Sequence, residues 1–180
     1  MLLRSAKILL TGPPGCGKTT ALLEIVEKLN CKKAAGFYTQ EICLGDVRKG
    51  FSWTRLDGET GILAHVDIKS RAKVGKYGVN IAGFEKSAVP VLDIENSDAE
   101  LFVIDEIGKM ECLSEKFVTA VRGLFASEKS VLATVARKGG GLISEVKNFP
   151  EVRLFNLTVQ NRDKTIAEIL QILLFLKKGT

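Results

Sequence analysis

Histidine is almost missing from this 180-residue chain; His65 is the only one. A Ser–His–Asp set or a histidine-built metal site therefore has no material. With no nucleophile or acidic pattern beside it, His65 reads as structural. Cysteine is sparse as well. Cys16, Cys31, Cys43 and Cys112 form no C-x-x-C pair and no zinc spacing, so reduced thiols in a cytoplasmic protein are expected. Long hydrophobic runs are absent. Arg4 and Lys7 break up the N-terminal apolar stretch, so no signal peptide or span is expected there. The run 166–176 has only about three helical turns, which suits a docking helix and not a membrane span. Neither charge sign dominates strongly. The net +5, from 26 basic and 21 acidic residues, suits a handler of polyanionic nucleotides and equally a weak nucleic-acid contact. There is no repeat, linker, low-complexity tract or glycosidase-like carboxylate pair, so residues 1–180 read as one domain. Oligomeric state is not written in the sequence, and a monomer is the default expectation.

What the chain does have is Gly12-Pro13-Pro14-Gly15-Cys16-Gly17-Lys18-Thr19, which fits the phosphate-binding pattern G-x-x-x-x-G-K-[ST]. The apolar Ile8-Leu9-Leu10 leads in as a buried strand. Leu22, Ile25, Val26 and Leu29 follow at helical spacing. Glycines let successive backbone N–H groups turn inward on one anion, and the helix adds its positive N-terminal end. Residues 12–19, with Thr20 in the same first turn, are the candidate nucleotide-binding set. Lys18 is placed for the β- and γ-phosphates and the Thr19 hydroxyl for Mg²⁺.

Beyond the first helix, residues 34–66 turn aromatic and β-branched. Leu44-Gly45-Asp46 and Asp57-Gly58 punctuate them, which predicts an antiparallel meander of about three or four strands. It is either an insertion or an edge extension of the main sheet. Lys69, Arg71 and Lys73 then alternate on an extended segment, as a solvated face or a basic contact. A helix over Phe84, Ala88, Val91 and Leu92 is predicted to kink or stop at Pro90. Leu101-Phe102-Val103-Ile104 followed by Asp105-Glu106 describes a central parallel strand with two acids at its C-terminal edge. That is the edge where ligands bind in open α/β sheets. Ser114 offers an N-cap for a helix carrying Phe117, Val121, Leu124 and Phe125. A strand at 131–135, the loop Arg137-Lys138-Gly139-Gly140-Gly141, a brief helix at 142–147, a strand at 152–157 and a final helix from Thr158 or Asn161 complete the chain. The alternation predicts a three-layer α/β fold with a mostly parallel sheet and the antiparallel interruption at about 34–66.

A phosphate loop binds; hydrolysis also needs a metal ligand and an oriented water. Asp105, at the end of an apolar strand expected beside the phosphate-loop strand, is the candidate Mg²⁺ ligand, directly or through a water. Glu106, one residue on, is placed to align or deprotonate the attacking water. Such help is typically worth about 10²–10⁴-fold. For the charge that develops on transfer, Lys18, Arg137 and Arg162 are the catalytic candidates, with Lys109, Arg122 and Lys138 also in view. Arg137 sits in a loop able to close as a lid, and Arg162 at the mouth of the last helix. Either is also placed to contact base or ribose. Thr134 is a candidate partner of the γ-phosphate or of the water, or simply a packed strand residue.

The run Asp105-Glu106-Ile107-Gly108-Lys109-Met110-Glu111 resembles the signature of the small thermostable nucleoside-triphosphatases, a family that includes the cancer-related nucleoside-triphosphatase of vertebrates. Gly36-Phe37-Tyr38-Thr39, Glu41, Gly50-Phe51, Val74-Gly75, Tyr77, Val79-Asn80, Phe84, Ala88-Val89-Pro90-Val91-Leu92, Thr158 and Asn161-Arg162-Asp163 extend the likeness over nearly the whole chain. The resemblance implies a RecA-like P-loop fold and a Mg²⁺-dependent hydrolase taking ATP, GTP, CTP and UTP to diphosphate and phosphate. It departs at Cys16, a valine-like position in the family, which keeps the backbone cradle but adds a thiol expected to be open to oxidation. The stretch Ala133-Thr134-Val135-Ala136-Arg137 also lacks the family's Thr-Ile-Pro continuation. A small-molecule or nucleotide kinase, with 137–141 as its lid, and a nucleotide-dependent switch or RNA-associated protein are the alternative readings.

Overall fold

The structure, a computed structural model, describes residues 5–178; Arg4 lies outside them. In chain order the elements are β1 (Lys7–Thr11), α1 (Lys18–Leu29), β2 (Ala34–Leu44), β3 (Val47–Arg55), β4 (Thr60–His65), β5 (Lys73–Val74) and β6 (Tyr77–Val79). Next comes α2 (Ile81–Gly83), which runs on as a π turn over Phe84–Ala88 and a 3-10 turn over Val89–Leu92. There follow β7 (Leu101–Ile107), a 3-10 turn at Glu111–Leu113, α3 (Glu115–Ala126), β8 (Ser130–Val135), α4 (Leu142–Lys147), β9 (Val152–Asn156) and α5 (Arg162–Lys178).

Among the described residues nine strands form one sheet in the order β5-β6-β4-β3-β2-β7-β8-β1-β9. The five from β2 to β9 in that order are parallel. The rest are antiparallel. The expected P-loop sheet is therefore present, and its meander is continuous with it. β2 is at once the outer parallel strand, with Ala34 opposite Leu101, and the first meander strand, with Phe37 opposite Arg55. The meander also runs past residue 66 into β6 and β5. One neighbour differs from expectation: β8 lies between β1 and the Asp105 strand β7. Sequence spacing says which strands exist, not which are adjacent.

Alternation within each buried strand builds two cores. Ile8 and Leu10 face α1 and α5 together with Ile25, Ile166 and Ile169. Leu9, Phe102 and Ile104 face the other side, where Phe37, Phe84 and Phe117 pack ring against ring, with centroids 5.4 to 6.2 Å apart. From β1 the chain crosses out to β2 by α1. It then returns through β7 and β8, with α3 on the opposite face, and finally places β9 on the far side of β1. This reversal opens a crevice at the C-terminal ends of β1 and β8.

Local signals explain the element ends. Ser114 Oγ accepts from Phe117 N–H at 3.0 Å and so caps α3, whose buried face is Phe117, Val121, Leu124 and Phe125. Pro90 stands in the first turn of the 3-10 segment Val89–Leu92, so the helix tightens there and ends two residues later, at Leu92. Thr158 and Asn161 exchange two hydrogen bonds just before α5, so Asn161 is the start that holds. Among the described residues no helix is long and apolar enough to cross a membrane. Lys69, Arg71 and Lys73 are exposed, and only Lys73 is in a strand.

Candidate active site

The loop from Gly12 to Thr19 closes tightly for steric reasons. A Cβ on Gly12 would stand 2.4 Å from the Leu157 carbonyl oxygen and 2.8 Å from Cys16 Sγ. Gly17, which caps α1, has φ +90°, a conformation that L side chains rarely adopt. Cys16 is only 4% exposed and packs into the core with Ile8, Leu10 and Leu22. The expected oxidation-prone thiol is therefore a core side chain, doing the work of the apolar residue it replaces. Lys18 Nζ donates to the carbonyls of Gly12 at 3.3 Å and Pro13 at 3.5 Å, which folds the ammonium back over the loop.

Asp105, 1% exposed, reaches this loop across β8. Thr19 Oγ1 donates to its Oδ2 at 2.8 Å. On the same oxygen Thr39 donates its N–H at 3.2 Å and its hydroxyl at 3.4 Å, and on Oδ1 Thr134 donates at 2.5 Å. Four hydrogen bonds donated to this buried carboxylate fix its orientation. Thr134 has one hydroxyl hydrogen, and Asp105 takes it, so Thr134 is a holder of Asp105 and gives no hydrogen to a phosphate or a water. Thr39 shares that task. The sequence set Thr39 in a family-like segment but gave it no role, because β2 and β7 become neighbours only in the fold.

The next residues turn the chain around a carboxylate pair. Glu106 Oε1 and Glu111 Oε2 lie 2.7 and 2.9 Å from the point where a Cβ on Gly108 would stand. Burial pushes the Glu106 carboxyl up, the Asp105 charge pushes it further, and Lys18 and Lys147 pull it down. Glu111, 5% exposed, is pushed up to about 8 by burial first, with the charges of Glu106 and Asp105 adding to it. It therefore keeps its proton at neutral pH. The sequence showed it only as the last residue of the family-like run from Asp105, with no role attached. Lys147 comes from α4, donates to the carbonyls of Ala136 at 2.6 Å and Arg137 at 2.8 Å, and ties down the loop after β8.

These groups line one cavity of about 520 Å³. Its lining includes Gly12, Pro14, Gly15, Gly17, Lys18, Thr19 and Thr20 from the loop and its helix, Asp105, Glu106 and Glu111 from the end of β7 and the turn after it, and Lys109 and Arg137. Arg137 is thus brought to the carboxylates. Arg162 is not: it lies on the other side of the loop, with Nη1 3.3 Å from the point where a Cβ on Gly17 would stand. Its Nε, buried, makes no hydrogen bond and has only the Asp163 carboxylate at 3.7 Å. That placement suits the nucleoside end of a ligand better than its terminal phosphate. Arg122 is spent elsewhere, on a two-pronged pair with Glu145 at 2.8 Å. Lys138 is exposed and does not line the cavity. His65 sits in β4, with Nδ1 accepting from Asp67 N–H at 3.2 Å, away from the cavity lining.

Comparison with known proteins gives the family. A family model described as NTPase matches residues 7–170. The chain belongs to this nucleoside-triphosphatase family. It is 43% identical over 169 residues to the nucleoside-triphosphatase THEP1 of Thermotoga maritima, covering 94% of this chain and 96% of that protein. To the human cancer-related nucleoside-triphosphatase it is 37% identical over 179 residues, covering 90% and 93%. The crystal structure of THEP1 from Aquifex aeolicus superposes with a TM-score of 0.85 at 37% identity, over 93% of this chain and 98% of that one. As a member of the family, the chain carries the loop, the Asp105 strand and the Glu106–Glu111 turn inside the matched span.

Proposed function

We propose that the protein is a Mg²⁺-dependent nucleoside-triphosphate phosphohydrolase, broad in base preference, with Glu106 as the residue that readies water. One observation carries the reading. The Thr19 hydroxyl meets Asp105 at 2.8 Å, and Glu106 follows in the same cavity as Lys18. A phosphate cradle, hard oxygen donors and a half-buried base thus line one cavity. Names given to relatives on both sides of the comparison support hydrolysis of nucleoside triphosphates.

The donors fit Mg²⁺. Thr19 directs its hydrogen at Asp105, which leaves its oxygen lone pairs for a cation. Asp105 already accepts four hydrogen bonds, so it suits a role through Thr19 and a water better than direct ligation. Among the described residues no group of three or more His, Cys, Asp or Glu could cage an ion. Mg²⁺ does not require one, because it is ordinarily held by one or two protein oxygens together with substrate phosphates and waters. When bound, the ion neutralises charge on the β- and γ-phosphate oxygens. Lys18 and the loop amides hold the phosphates, Glu106 orients the water and accepts its proton, and Arg137 in the same lining faces the leaving charge. No base-specific pocket is needed for this chemistry, which is in keeping with breadth.

The test is phosphate release across ATP, GTP, CTP and UTP, with and without Mg²⁺, for wild type and Lys18→Ala. The reading expects comparable rates on all four, no release without the metal and none from the variant. Metal-independent release, or full release by Lys18→Ala, would overturn it.

A further inference from the structure

A hydrolase needs, beyond the terminal phosphate, room for one water, whose share of liquid volume is about 30 Å³. This cavity runs from the phosphate loop past Glu106 to side chains of the meander strands. In the sheet the carboxylates at the end of β7 stand between the phosphate loop after β1 and the meander strands β3, β4 and β5. Phosphates lie along such a loop with the γ end at the metal-side carboxylate, so the nucleoside lies on the loop's far side, where Arg162 is. The opposite end of the cavity, past Glu106, is lined by Phe51, Leu63, Val74 and Met110. Of the charged groups near it, Glu41 is paired with Arg48 at 2.6 Å, Glu111 is 5% exposed, and Lys109 adds one positive charge beside Met110. Apolar side chains on the meander side of the carboxylates are poor design for a site that takes water alone.

We propose that the protein is also a phosphotransferase, whose meander-side compartment takes a small neutral alcohol with an apolar body. The proposal rests on the nucleoside-triphosphatase reading above. In the step, the alcohol oxygen bonds to the γ-phosphorus as the bond from that phosphorus to the β–γ bridging oxygen breaks. The bonding electrons leave with the nucleoside diphosphate. The hydroxyl proton passes to the Glu106 carboxylate, and the product is an alkyl phosphate. Phe51, Leu63, Val74 and Met110 hold the acceptor's carbon chain and exclude water around it.

The experiment incubates the full chain with Mg²⁺, γ-labelled ATP and equal molarities of ethanol, 1-butanol or 1-hexanol, and measures alkyl phosphate against free phosphate. The ratio is expected to climb with chain length, by roughly four-fold for each methylene buried. Val74→Glu, among these apolar side chains, is expected to abolish the climb while phosphate release continues. Should that variant fail to fold, the wild-type series decides by itself. Absence of alkyl phosphate, or a ratio indifferent to chain length as in simple solvolysis, overturns the proposal. If no phosphate is released to any acceptor, including water, the hydrolase reading fails and takes this one with it.

Discussion

Glu111→Gln is expected to make the protein more stable above pH 5, by an amount that grows with pH. The Glu111 carboxyl is 5% exposed, and burial raises it from 4.5 to about 8. Below pH 4.5 it is protonated in both folded and unfolded chains and contributes no pH dependence. Between 4.5 and about 8 the unfolded chain loses this proton while the folded chain keeps it. The unfolded state then binds fewer protons, so stability falls as pH rises through this window and levels off above it. At 1.36 kcal/mol per pH unit, the full cost is roughly 3 to 6 kcal/mol. Glutamine keeps the shape and the carbonyl acceptor but cannot ionise, so it escapes the cost. Urea unfolding at pH 5, 6, 7 and 8, followed by fluorescence of the buried Trp53, gives the difference between the two proteins. Other titrating groups contribute about equally to both and cancel. Parallel curves for wild type and variant, or a gap that narrows with rising pH, would refute the assignment of a buried, protonated Glu111.

Two further perturbations probe the frame of the site. Thr134→Val removes the donor to Asp105 Oδ1 without changing shape. It should cost roughly 1.5 to 3 kcal/mol in urea unfolding at neutral pH, the range for a hydrogen bond to a charged group; an unchanged midpoint would contradict it. For the thiols, a disulfide reagent at mild alkaline pH should modify exposed Cys43 first. Buried Cys16, and Cys112, whose thiol burial pushes up to about 12, should follow far more slowly. Peptide mapping that finds Cys16 labelled as fast as Cys43 would show that the loop does not bury it.

How much of this was legible in the sequence depended on distance along the chain. The phosphate loop and the Asp105-Glu106 pair are local patterns, and each stands where local reading puts it. The Ser114 cap and the Phe117-to-Phe125 face were legible for the same reason. Thr39 and Thr134 were not legible as holders of Asp105, because β2 and β8 flank β7 only once the sheet is assembled. The same ignorance of strand order set β7 beside β1, where β8 intervenes. Cys16 looked reactive because a loop thiol is usually open, yet the fold turns its side chain into the core beneath α1. Arg137 and Arg162 could not be ranked from spacing, and only the cavity separates them. Glu111 escaped because a lone acid carries no mark of burial until the 3-10 turn over Glu111–Leu113 folds it in.

The central claim, that Glu106 readies water in a cradle built for the triphosphate, is tested most directly by Glu106→Gln. Nucleotide affinity and phosphate release are measured on the same preparation with Mg²⁺ and ATP. Affinity should stay within a few-fold of wild type while turnover falls by about 10²–10⁴, the usual contribution of a positioned base. Full turnover in the variant would mean that water is readied by another group, and the account of this site would be wrong.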